Sequence, residues 1–178
     1  MRVLSRGIQS RVALPKNAGE TDPGFHHHPK ATLPAIERDG VSMRLIAGTA
    51  YGERSPVETI SDMFYLDVRM SPGSRLKRPS EHGKRAICPL GGEVILNDDL
   101  FSPGRMAVIT PGTEAEIQGA SDARVMLLGG ATMDGERHIW WNFVSSSKQR
   151  IERAGADWKE NRFAKVSGET EFIPLPPS

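Results

Sequence analysis

The chain has 178 residues, 38% apolar and 25% charged, with 23 basic against 22 acidic residues for a net charge of +1. So even a balance offers no electrostatic footing for a phosphate backbone, and direct nucleic-acid binding is not expected. The single cysteine, Cys88, cannot close an intramolecular disulfide, no apolar signal segment follows the start, and no run approaches the ~18 apolar residues of a membrane helix, so a soluble cytoplasmic chain that inserts in no membrane is the expectation.

Residues 1–40 contain Pro15, Pro23, Pro29 and Pro34 and little periodicity apart from Val12-Ala13-Leu14. They read as an N-terminal arm or linker. From residue 41 the 18 glycines and 13 prolines of the chain separate brief apolar runs, the spacing of turns in an all-β fold. Strands are predicted over 41–47, 63–70, 85–90, 93–96, 106–109, 115–117, 123–128 and 139–143. In the second of these Leu66, Val68 and Met70 alternate with Asp67 and Arg69, which describes a half-buried antiparallel strand.

A helix over 147–160 follows, with Ser145, Ser146 and Ser147 supplying capping oxygens and Ile151, Ala154 and Trp158 recurring at helical spacing. The tail Phe172-Ile173-Pro174-Leu175-Pro176-Pro177 lacks ladder donors at its prolines and should lie extended. The division expected is therefore an arm over 1–40, a barrel over 41–145, and a helix with an extended tail packed on it over 146–178.

These signatures in their order resemble the pirin family of bicupins. Gly7-Ile8-Gln9-Ser10, Val12-Ala13-Leu14-Pro15 and Val41-Ser42-Met43-Arg44-Leu45-Ile46-Ala47-Gly48 are similar to the linker and opening strand of the second pirin domain. Ser55-Pro56-Val57, Tyr65-Leu66-Asp67-Val68, Asp122-Ala123-Arg124, Leu127-Leu128-Gly129-Gly130 and Trp141-Asn142-Phe143-Val144 continue the likeness in sequence, from about Gly7 to Pro177. The resemblance implies an all-β, cupin-like (RmlC-like jelly roll) antiparallel β-barrel with one C-terminal helix. It also implies that the family's iron, held by three histidines and a glutamate, belongs to a first barrel, for which Met1 to Arg6 leave no room. Two departures stand out: Arg11 where the family tends to have tryptophan, and Cys88-Pro89, with a proline expected to interrupt a central strand.

A metal-binding cupin spaces its ligands from conserved glycines, and that spacing was applied from Gly73, Gly104 and Gly112. The two histidine positions of the first motif fall on Pro79 and Glu81, its glutamate position near Arg85, and the histidine of the second motif on Ala115. Proline, arginine and alanine do not ligate iron, so no catalytic, cofactor-binding or metal residue is assigned. Glu81 and His82 form either a weak metal or acid/base pair or, as the plainer reading, part of a solvated turn, Ser80-Glu81-His82-Gly83-Lys84. His26-His27-His28 are read as surface imidazoles. Trp140-Trp141 are expected to put one ring in the core and one against the helix beside Trp158.

Cys88, between Ile87 and Leu90, is expected to be buried and inert. Gly91-Gly92 and Gly129-Gly130 are read as turn glycines rather than a phosphate cradle. Three functions compete: a non-catalytic binding or scaffold domain; a component that joins a separately encoded first barrel to rebuild an iron-dependent, quercetin 2,3-dioxygenase-like pirin; and a decayed remnant. The resemblance also implies that some pirins act as transcription cofactors through protein contacts. The partner expected is a second copy of the chain, possibly through an exchanged arm, or the separate first barrel.

Overall fold

The computed structural model describes residues 7–176 apart from 78, 80, 81, 166 and 169. It divides into two compact units, one over Asp22–Thr132 and the other formed by Met1–Thr21 with Met133–Ser178.

The larger unit holds eleven described strands in two sheets. In chain order they are β1 (Ala35–Arg38), β2 (Val41–Ala50), β3 (Glu53–Arg54), β4 (Met63–Met70), β5 (Arg75–Lys77), β6 (Lys84–Gly91), β7 (Val94–Leu96), β8 (Asp99–Phe101), β9 (Ala107–Ile109), β10 (Glu116–Gly119) and β11 (Ala123–Gly130). One sheet runs β1-β2-β4-β11-β6-β9 with β3 paired to β2; the other runs β5-β10-β7-β8. All described pairings are antiparallel.

The two sheets share one apolar core. Val41, Met43, Leu45, Phe64, Leu66, Val68, Met70, Ile87, Val125 and Leu127 from the large sheet meet Leu76, Val94, Leu96 and Ile117 from the small one. The alternation in β4 appears as predicted: Phe64, Leu66, Val68 and Met70 are buried, Asp67 is half-buried and Arg69 is exposed. In β2 a bulge falls between Leu45 and Ala47, which shifts the buried parity from Val41, Met43 and Leu45 to Gly48 and Ala50. Gly48 sits at φ 77°, and a β-carbon there would lie 1.8 Å from the Met63 carbonyl oxygen, so only glycine fits the approach of the two strands.

Three expectations need correction in this unit. Residues 35–38 are not arm: they pair with β2 in the register Arg38↔Val41, turned by Asp39 and Gly40, with Gly40 at φ 73°. Pro89 does not interrupt its strand. β6 runs through it, because β9 pairs only with Arg85 to Ile87 and leaves that side of β6 free further along, and because a bulge opposite Arg124 and Val125 absorbs the irregularity. Gly129 and Gly130 lie within β11 rather than in a turn.

Among the described residues the smaller unit contains a short 3-10 turn (Lys16–Ala18), a hairpin, β12 (His138–Trp140) and β13 (Phe143–Ser145), and one α-helix, α1 (Lys148–Lys159). The single strand predicted over 139–143 is thus the hairpin's turn with its two flanks. Trp141, at φ 50°, and Asn142 form that turn between the paired Trp140 and Phe143. Only asparagine advertised it, since tryptophan is no ordinary turn residue. The helix begins and ends as read: Ser147 Oγ accepts from the Arg150 N–H at 3.3 Å, and Ser145 Oγ accepts from the Ser147 N–H at 3.1 Å. Ile151 and Gly155 are buried, and α1 packs on β12 and β13.

The first residues of the arm are tied to this hairpin. The Lys16 N–H donates to Asp134 Oδ2 at 2.8 Å, Arg137 donates to the Leu14 carbonyl at 2.8 and 3.1 Å, and the Arg11 guanidinium bonds Asn142. Val12-Ala13-Leu14 form no strand. Residues 170–176 are neither helix nor strand; Trp158 Nε1 donates to the Ile173 carbonyl at 2.9 Å and the Phe172 ring stacks on the indole at 5.6 Å.

Candidate functional site

Two of the buried polar side chains of the larger unit, His82 and Arg85, lie close together in the chain at one end of the large sheet. His82 is 5% exposed, its ring stacked on Phe64 with centroids 5.3 Å apart. Its Nε2 lies 3.2 Å from the Thr49 carbonyl and its Nδ1 3.7 Å from Asp62 Oδ2. His82 does lie in the connection between β5 and β6, but it is not solvated: stacking and two polar contacts draw the imidazole inward. Glu81 and Ser80, the other members considered for that site or turn, lie outside the described residues.

Arg85 opens β6 three residues further on. It is paired across the sheet with Ile109 and Gly129, and the two-residue period places it on the face of Ile87, inside the barrel. The residue is 9% exposed; its Nε donates to the His82 carbonyl, while Nη1 is buried without a hydrogen-bond partner among the described residues. Pro79 is also fully buried and Ala115, at 7% exposed, belongs to the apolar core. The cupin ligand positions that can be placed thus hold apolar side chains and, near the glutamate position, a buried cation.

The remaining candidates stay apart from this end of the barrel. His26 and His27 are exposed and His28 is half-buried, and no three His, Cys, Asp or Glu side chains group together among the described residues. Cys88 is half-buried rather than buried, because it lies on the outward face of β6, beside an exposed Leu90. Gly73, Gly104 and Gly112 all adopt positive φ, so the glycine skeleton of the motifs survives as turns.

The tryptophan pair does not divide between core and cover. Trp141 meets Trp158 edge-on at 5.1 Å, and Trp140 lies against Gly155, where a β-carbon would come within 3.0 Å of its ring. Both rings serve the smaller unit, since the hairpin turn presents them to α1. A groove of about 770 Å³ has Ile139, Trp140, Ile151 and Ala156 among its lining residues, with both lysines and glutamates of α1 and its C-cap also lining it. No local pattern in the sequence marks this groove, because it is made by a hairpin whose two short strands read as one.

An antiparallel two-sheet barrel with positive-φ glycines at its turns and a polar cluster inside one end defines a cupin-like, RmlC-like jelly roll, joined to a single C-terminal helix. The pattern of the Pirin C-terminal cupin domain matches residues 65–164, and the chain belongs to the pirin family. It is 43% identical over 96% of its length to a Caulobacter vibrioides pirin-like protein, of which it covers 59%, and 27% identical over 88% of its length to Pirin-1 of Arabidopsis thaliana, covering 57%. The crystal structure of quercetin 2,3-dioxygenase from Acinetobacter baumannii superposes with a TM-score of 0.83 at 25% identity, over 94% of this chain and 57% of that one. The chain thus spans somewhat more than half the length of these relatives.

Proposed function

We propose that this chain is a pirin-type C-terminal barrel acting as a non-catalytic binding or scaffold module, without a metal site of its own. The observation that carries the reading is the buried guanidinium of Arg85 near the position a metal-binding cupin gives to its glutamate. A guanidinium has no lone pair to donate and repels a second cation held beside it. Pro79 and Ala115 bring no donor either, so these residues do not suit the iron that the family likeness implies. The same reading has the chain act in the cytoplasm, as a homodimer or joined to a separate first barrel, without membrane or nucleic acid as partner. No helix among the described residues is long and apolar enough to cross a membrane.

Elemental analysis of the tag-free chain, purified without nickel resin, tests the metal claim. Metal well below one equivalent per chain is expected, and stoichiometric iron would sink the reading.

A second reading draws on the coverage of 57–59% against full-length relatives. In it the chain joins a separately encoded first barrel and takes part in quercetin 2,3-dioxygenase-like oxidation carried by iron in that other barrel. Flavonol-dependent oxygen uptake is then absent from this chain alone, with or without ferrous iron, and appears only in the reconstituted pair. The reading of the chain as a decayed remnant rests on Pro89 together with the short length, and only the first of these supports is removed by the way β6 accommodates the proline.

A further inference from the structure

The barrel end described above carries a positive charge for which the described residues offer no counter-charge. Arg85 takes part in none of their ion pairs, and its Nη1 is buried without a partner. Asp62, the carboxylate on this cluster, lies against Nδ1 of His82 and its side chain is 75% exposed, so it neutralises nothing inside. The side chains on the same interior face are apolar: Ile87 follows Arg85 on β6, Ile109 faces it on β9, and Leu127 precedes Gly129 on β11. A charge held among such groups is strongly penalised unless an anion with matching hydrogen bonds accompanies it.

We infer that Arg85 holds a small monocarboxylate, of the size of formate or acetate, as the ligand of this barrel in place of a metal ion. The guanidinium's planar array of N–H groups matches a carboxylate in geometry and charge. Its Nε is already fixed on the His82 carbonyl, and the buried Nη1, without a partner among the described residues, is a nitrogen that can donate to the ligand. His82 is held in turn by the Phe64 ring and the Thr49 carbonyl, so the cation is anchored. This deepens the reading of the chain as a binding module by naming a ligand class.

The test uses the full tag-free chain in a buffer free of small carboxylates. Sodium acetate or sodium formate is titrated against sodium chloride at equal ionic strength, with melting temperature and the line width of ¹³C-labelled acetate as readouts. Saturable broadening and a rise in melting temperature beyond the chloride control are expected, with affinity weakened about tenfold or more in Arg85→Met. Arg85→Lys keeps a cation but loses the planar array, and its affinity should also fall, which preserves the test if the methionine variant fails to fold. Arg124→Gln, at an ion pair on the outer face, should leave the acetate response intact. An unbroadened acetate signal with the wild type, or equal broadening with Arg85→Met, overturns the proposal. So does a melting temperature governed by Glu81→Gln and indifferent to acetate, since Glu81 would then supply the counter-charge. Elemental analysis is read separately: a metal-free chain that ignores acetate overturns only the carboxylate, whereas stoichiometric iron overturns the metal-free reading beneath it.

Discussion

The ring of Phe64 occupies the place where a side chain at Gly129 would begin: a β-carbon there would lie 2.5 Å from Phe64 Cε1 and 2.4 Å from the Lys84 carbonyl oxygen. One obstacle is a large buried ring and the other is backbone of the neighbouring strand, so neither yields easily. Gly129→Ala should therefore lower stability by about 1–3 kcal/mol through overpacking, read by thermal or denaturant unfolding. An unchanged midpoint would mean that Phe64 and β6 move apart freely.

The same ring supports His82. Replacing His82 by alanine removes the stacked imidazole and leaves the Thr49 carbonyl without its contact, so a loss of about 1–3 kcal/mol is expected. A side chain in a solvated turn would cost about 0.5 kcal/mol or less. Denaturant midpoints of the wild type and His82→Ala decide between these descriptions.

The fate of His82 also shows what the sequence discloses and what it hides. The eight residues of β4 were readable because a period of two with apolar residues at Leu66, Val68 and Met70 is a property of the strand itself. The cap at Ser147 was equally local. Burial of His82 depends on Phe64 and Thr49, which are 18 and 33 positions away in the chain, and no local pattern encodes such meetings. The short strands β5 and β8 escaped notice because three residues are too few to display alternation. The motif spacing did lead to Arg85, yet its isolation as a buried cation emerged only from the pairing of β6 with β9 and β11.

Acid should loosen the attachment of the arm to the hairpin. The Asp134 carboxyl is held below its ordinary range by the Arg137 guanidinium first and the Lys16 N–H second. A group whose folded value is depressed contributes stability above its unfolded value, about 3.9 for aspartate, and loses it as pH falls through the lower folded value. Hydrogen exchange of the Lys16 amide, corrected for its intrinsic pH dependence, should thus lose protection below about pH 4, and Asp134→Asn should flatten that dependence. Equal pH profiles in both proteins would contradict the assignment.

Trp158 ties the tail to α1 by a hydrogen bond and a stacked ring. In Trp158→Phe the ring is largely kept but the donor to the Ile173 carbonyl is lost. The expected cost is about 0.5–1.5 kcal/mol, felt as faster exchange and proteolysis around residues 170–176 while the larger unit melts as before. Unaltered proteolysis of the tail would show that Phe172 stacking suffices.

Assembly is the last expectation, and here the structure changes its route. We propose a homodimer, but the arm is poorly placed to be exchanged: the Leu14 carbonyl is engaged by Arg137 of the same small unit, and residues 12–14 form no strand. The end of the large sheet is the better candidate. β9 is its terminal strand, with Val108 76% exposed and Met106, just before it, 56% exposed, so a strand edge unpaired among the described residues coincides with apolar side chains. Such edges are templates for pairing unless charge or proline blunts them. Sedimentation at tens of micromolar should find the wild type dimeric, Val108→Lys monomeric with an unchanged far-ultraviolet spectrum, and a chain beginning at Leu33 as dimeric as the full one. A monomeric wild type ends the proposal; a dimer that survives Val108→Lys but not removal of the arm returns the contact to the N-terminal segment.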